Sequence, residues 1–142
     1  SFGKFFGLAG VRLGFLSGPA DFADAVRSMQ GPWAVSGPAL EIGMKALSDT
    51  AWIAQARSRL KSGRKVLEKG LKQARLQPLG GTDLFVLARH FQAKHIWQEL
   101  AKRQILVRRF DYQHDWLRFG IPAGDHEQAR LNAALAEIMS SL

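Results

Sequence analysis

Between Thr50 and Arg75 apolar or small residues recur at three- and four-residue steps: Ile53, Ala56, Leu60, Gly63, Leu67, Gly70 or Leu71, and Ala74. That period predicts one long amphipathic helix, with Gly63 and Gly70 tolerated at some cost. Two shorter helices are predicted before it. "DFADAVRSMQ" has Asp21 placed to cap it and Gly31-Pro32 to end it. The second begins near Ser36 to Pro38 within "GPWAVSGPALEIGMKALSD", with Ser36 suited to the cap and Pro38 to the first turn. Residues 1–18 read as a glycine-rich loop leading into a short apolar strand, "VRLGFLSG", that stops at Gly18-Pro19.

The period changes after "QPLGGTD", which has the composition of a turn. "LFVLARH" reads as a strand, "AKHIWQELAKR" as a helix and "ILVRRF" as a second strand. "DYQHD" is a polar connection and "WLRFGIP" a third strand closed by Pro122. "GDHEQARLNAALAEIMSSL" is a closing helix with Asp125 as its cap. The second half is therefore an α+β layer, a short mainly antiparallel sheet covered by helices. The first half is helices with one strand. A lone strand makes no sheet, so its neighbours are expected to lie outside these residues and the whole to be an α+β or α/β fragment.

Composition narrows the function classes. The 142 residues, 46% hydrophobic and 23% charged, are enough for a real core. No apolar run of eighteen residues offers a membrane span, and with no cysteine there is neither disulfide nor thiolate chemistry. A cytoplasmic location fits that composition. The net charge of +8 invites a nucleic-acid partner, but between Arg57 and Arg75 eight basic residues face one acid, Glu68. The excess is the solvated side of the long helix, without interleaved aromatics for base stacking. Neither a nucleic-acid nor a membrane partner is expected. The histidines at 90, 95, 114 and 126 have no metal-ligand spacing, so no metal is assigned.

The candidate chemistry lies in "SFGKFFGLAGVRLGF". A lysine amine becomes a useful nucleophile when desolvated, and Phe2, Phe5, Phe6 and Leu8 surround Lys4 in sequence. Ser1 and Arg12 offer a hydroxyl and a guanidinium suited to a phosphate. A lysine that condenses with an aldehyde beside a phosphate clamp is what pyridoxal phosphate requires. On spacing alone, a lysine here is more readily a surface residue.

With Ser1, Lys4, Gly10, Arg12 and Gly14 in register, the stretch closely resembles the pyridoxal-phosphate lysine signature of the class I/II aminotransferases, in their histidinol-phosphate aminotransferase-like branch. The resemblance implies pyridoxal 5'-phosphate as cofactor, bonded covalently to Lys4, with Ser1 and Arg12 on its phosphate. It implies that Arg118, in "WLRFGIP", binds a substrate α-carboxylate. "GPWAVSGPALEIG", through Trp33, Val35 and Ser36, and "FDYQHDWLRFGIP" resemble segments of the branch that decarboxylates threonine phosphate in cobalamin biosynthesis. Read from position alone, Arg108 and Arg109 at the end of a predicted strand could attract a substrate phosphate, with solvent exposure the plainer reading.

On that resemblance residues 1–49 are the end of the cofactor-binding large domain, 50–76 a connecting helix, and 77–142 the small C-terminal domain. The chain is expected to be the C-terminal part of a homodimeric enzyme acting on a phosphorylated amino acid. It is expected to be inactive alone, for want of the aspartate that pairs with the cofactor ring nitrogen, and to expose Phe2, Phe5, Phe6 and Leu13 as an apolar patch. An aminotransferase of histidinol-phosphate type and a basic binding module are the rival readings.

Overall fold

A computed structural model describes all residues, Ser1–Leu142, as two compact units, Ser1–Ala56 and Arg57–Leu142. The helix α3 (Thr50–Gln73) runs from one into the other.

The first unit holds a 3-10 turn (Ala9–Val11), α1 (Ala20–Gln30), α2 (Gly37–Ser48) and the start of α3. The Ser36 hydroxyl caps α2 as expected, accepting from the Ala39 N–H at 3.3 Å, with a proline in the first turn. The start of α3 is fixed by Asp49, whose carboxylate accepts the Trp52 N–H at 2.9 Å. Asp21 is not the cap of α1: Pro19 holds that position, and Asp21 sits in the first turn, where its charge suits the helix dipole. The strand expected over "VRLGFLSG" is absent, and residues 12–18 are irregular. A strand needs a ladder partner, and the unit supplies none.

The second unit is built on a four-stranded antiparallel sheet of order β1-β2-β4-β3. Its members are β1 (Gln77–Thr82), β2 (Phe85–Arg89), β3 (Arg108–Arg109) and β4 (Trp116–Gly120), with α4 (Ala93–Lys102) and α5 (Asp125–Ser140). Three readings of this half need correction. "QPLGGTD" is largely strand β1 rather than a turn. Proline and paired glycines are admissible because β1 is an edge strand, with a register irregularity between Pro78 and Gly80. Conversely "ILVRRF" pairs only at Arg108 and Arg109, while Ile105 and Val107 pack against the core without a ladder. Gly124, not Asp125, is the N-cap of α5.

The alternation of β2 and β4 sets the two faces of the sheet. Val86, Ala88, Leu117 and Phe119 are buried with Leu67 and Leu71 of α3, Ile96 and Leu100 of α4, and Leu131, Leu135 and Ile138 of α5. Phe85, Leu87, Trp116 and Arg118 alternate with them and so point to the opposite face, where they are only half-buried.

Candidate functional site

The first fifteen residues fold back on themselves. The Phe2 N–H donates to the Leu13 carbonyl at 3.1 Å, and the Phe2 carbonyl accepts the Leu8 N–H at 2.9 Å. A turn closes between them, with the Gly7 N–H on the Lys4 carbonyl at 3.1 Å. These bonds bring residues from both ends of the loop together: a β-carbon on Gly14 would lie 3.6 Å from Ser1 Cβ. Phe2 and Leu13, both buried, anchor the loop to α2 at Gly43, where a β-carbon would lie 2.4 Å from Leu13 Cδ2. No side chain other than glycine's hydrogen fits there without shifting Leu13.

Three of the expected site residues are brought together by this arrangement. Ser1, Lys4 and Arg12 line one open cavity of about 310 Å³, with Gly3, Ala9 and Gly14 supplying close backbone. Arg12 has left-handed backbone, φ 56°, after the 3-10 turn. Its guanidinium donates back to the Ala9 carbonyl at 3.2 Å. A hydroxyl, an amine and a guanidinium around one cavity are a donor set that fits a phosphate and an aldehyde. No carboxylate lines it, so nothing there serves a protonated ring nitrogen.

The aromatic residues do something other than desolvate the lysine. Phe2 stacks on Phe6 at 4.7 Å, Phe6 stacks on Trp52 at 5.7 Å, and Phe5 meets both Phe6 and Trp52 edge-on. Lys4 is left exposed. The expected apolar patch is also displaced: Phe2 and Leu13 are buried, whereas Phe15, Met29 and Trp33 are exposed.

Arg118 belongs to the other unit. It stands on β4, an interior strand of the sheet, paired with Leu87 on one side and Arg108 on the other. Its guanidinium carbon is 4.6 Å from the centre of the Phe85 ring. Arg109 is spoken for by Asp111 at 2.7 Å and by the face of Trp97. Arg108 is exposed and lies 5.9 Å from the Phe110 ring. The placement of Phe85 beside Arg118 went unread in the sequence. Its signal was the alternation in "LFVLAR" and "WLRFG", which puts both residues on the face away from the core.

Known proteins match this chain along nearly all its length. The family model "Aminotransferase class I and II" matches residues 1–136. A threonine-phosphate decarboxylase of Sinorhizobium sp is 44% identical over 140 residues, covering 97% of this chain and 41% of the relative. A threonine-phosphate decarboxylase of Pseudomonas aeruginosa is 42% identical over 135 residues, covering 95% of this chain and 40% of the relative. The crystal structure of histidinol-phosphate aminotransferase from Sinorhizobium meliloti, in complex with pyridoxal-5'-phosphate, superposes with a TM-score of 0.82 at 26% identity, covering 99% of this chain and 40% of that one. The chain thus spans about 40% of the length of these two relatives. On the family match, with the α+β architecture in agreement, this chain belongs to the class I and II aminotransferases.

Proposed function

We propose that this chain is the C-terminal part of a pyridoxal-phosphate enzyme that removes the α-carboxylate of L-threonine phosphate. The observation that carries the cofactor half is the convergence of Ser1, Lys4 and Arg12 on one cavity. The choice of decarboxylation is supported by the 44% and 42% identity to two threonine-phosphate decarboxylases.

When bound, the cofactor supplies an aldehyde for amines and a ring that stabilises negative charge on the adjoining carbon. The chain's own residues supply the rest. The Ser1 hydroxyl and the Arg12 guanidinium bind the cofactor phosphate. The Lys4 amine would hold the cofactor at its aldehyde and, when not so engaged, would carry a proton to or from the reacting carbon. Arg118 grips the α-carboxylate through two parallel N–H donors and sets the direction of the bond that breaks. Arg108, on the same face of the sheet, would in this reading meet the substrate phosphate. With carbon dioxide lost, a proton from Lys4 to the α-carbon would complete the amine; transamination would instead need Lys4 to take the α-proton, with the carboxylate retained.

In this reading residues 1–49 close the large domain, 50–76 connect, and 77–142 form the small domain of a homodimeric, cytoplasmic enzyme. The 142 residues alone are expected to be inactive, because the cavity has no carboxylate for the ring nitrogen.

The test is carbon dioxide release from L-threonine phosphate by a protein spanning the full length of the relatives, with pyridoxal phosphate. Stoichiometric release with an amine product is the expected result. A keto product formed only with an amino acceptor would replace this reading with the aminotransferase one, which the likeness to the Sinorhizobium meliloti structure favours. Normal turnover by the 142 residues alone would overturn the expected inactivity.

A further inference from the structure

Two guanidiniums on the open face of the sheet have no acid beside them. Arg118 on β4 lies directly opposite Arg108 on β3, so both side chains are on one face. Like charges facing each other across a strand pair repel. Yet neither arginine takes part in any ion pair of the fold. What Arg118 has instead is an aromatic face, the Phe85 ring at 4.6 Å. Phe85 on β2 is in register with Gly120 of β4, two residues along from Arg118. It is therefore a diagonal neighbour on the same face, and the glycine opposite it offers no side chain to compete for the ring.

We propose that Phe85 is the positioning residue for Arg118, an inference that rests on reading Arg118 as the carboxylate-binding residue. A guanidinium that must grip a carboxylate with two donors is poorly served by an acidic anchor. An acid would occupy those donors and cancel the charge the substrate needs. A ring face attracts the cation within about 6 Å and makes no hydrogen bond, so the N–H edges stay available in the guanidinium plane. Phe85 thus fixes the fork in position without consuming it. Because Phe85 is half-buried on the face away from the core, its replacement leaves the packed side of the sheet untouched.

The experiment compares Phe85→Leu with Phe85→Tyr, which keeps the ring. In the full-length enzyme, Phe85→Leu is expected to raise KM for L-threonine phosphate about three- to tenfold while kcat stays within about twofold. Phe85→Tyr is expected to restore KM to within about twofold of the parent. In the 142-residue chain, the Arg118 Nε–Hε resonance, assigned with Arg118→Lys, should be shifted by the ring current in the parent and in Phe85→Tyr. It should lose that shift in Phe85→Leu. A resonance unmoved by Phe85→Leu overturns the inference, and so does a Phe85→Tyr enzyme no better than Phe85→Leu. Failure of the underlying reading has a different signature. An Arg118→Lys enzyme with unchanged KM removes the carboxylate role, and with it the purpose of the ring, even where the ring-current shift is intact.

Discussion

Arg12 holds a left-handed backbone, φ 56°, that costs a residue with a β-carbon about 1–3 kcal/mol. Glycine would occupy it without strain, so the arginine is retained for its side chain if Arg12 is a phosphate ligand. Arg12→Gly is therefore expected to hold or raise the melting temperature of the chain. In the full-length protein it should weaken pyridoxal-phosphate binding about tenfold to a hundredfold, the worth of a charge-assisted contact. Cofactor titration and thermal melts on the same variant separate the two effects. Unchanged cofactor affinity would remove Arg12 from the site. His90 gives a second prediction at this scale. Burial lowers its pKa below the ordinary 6.5. Its Nδ1 accepts the Gln92 N–H at 3.1 Å, which an unprotonated nitrogen can do. The unfolded chain takes up the proton first as pH falls, so this contribution to stability is present above pH 6.5 and is lost below it. Melts at successive pH values should show a steeper acid loss for the parent than for His90→Gln.

At the scale of elements, Gly70 shows what helical periodicity leaves out. It reads as a small cost inside a long helix, yet a β-carbon there would sit 2.4 Å from Asn132 Oδ1 on α5. Asn132 accepts a 2.9 Å hydrogen bond from Gln128, the one buried polar residue of the fold. Gly70→Ala gains about 1 kcal/mol of helix propensity but disturbs a part-buried bond, and leaving the buried Gln128 amide unpaired costs about 1–3 kcal/mol. A net loss of about 1 kcal/mol is expected in chemical denaturation, whereas the exposed control Ser58→Ala should be neutral or slightly stabilising. The same contrast explains what was legible in the sequence. The helices of the second unit announced themselves because one buried face repeats every three or four residues, as in α5, whereas α1, with no buried residue, was legible only from its flanking breakers. The edge strand β1 did not, since its proline and glycines are the residues of turns. Ile105 and Val107 alternate like a strand but are apolar because they meet the core, not because they pair. In the loop, the residue types of Ser1, Lys4 and Arg12 were readable. The fold-back that joins them depends on the Phe2–Leu13 backbone bond, which leaves no periodic trace. The phenylalanines were misread as a shell for Lys4, because nothing in the spacing pointed to Trp52.

Across the whole molecule, charge and core are unequally shared. Ser1–Ala56 carries four basic and four acidic residues, while Arg57–Leu142 carries sixteen and eight, so the whole excess of +8 belongs to the second unit. The contiguous core belongs there too, running from Leu67 to Ile138. The first unit buries Phe2, Leu13, Ala39 and Ala56 but leaves Phe15, Leu16, Phe22, Met29 and Trp33 more than half exposed. Stability follows buried apolar area at roughly 25 cal/mol per Å², so the two units should open at different free energies. Amide exchange on the 142-residue chain is expected to protect β2, β4 and α5 most strongly. In α1, which has no buried residue, exchange should be faster by orders of magnitude, and the exposed side chains should bind a hydrophobic dye before any thermal transition. Trp33, at 91% exposure, is the reporter for that surface. Its emission should be that of a hydrated indole in this chain and should shift to the blue in the full-length protein if the remaining residues cover it. Uniform protection across both units, with no dye binding, would mean that Ser1–Ala56 is held as firmly as the sheet, against the distribution of its core.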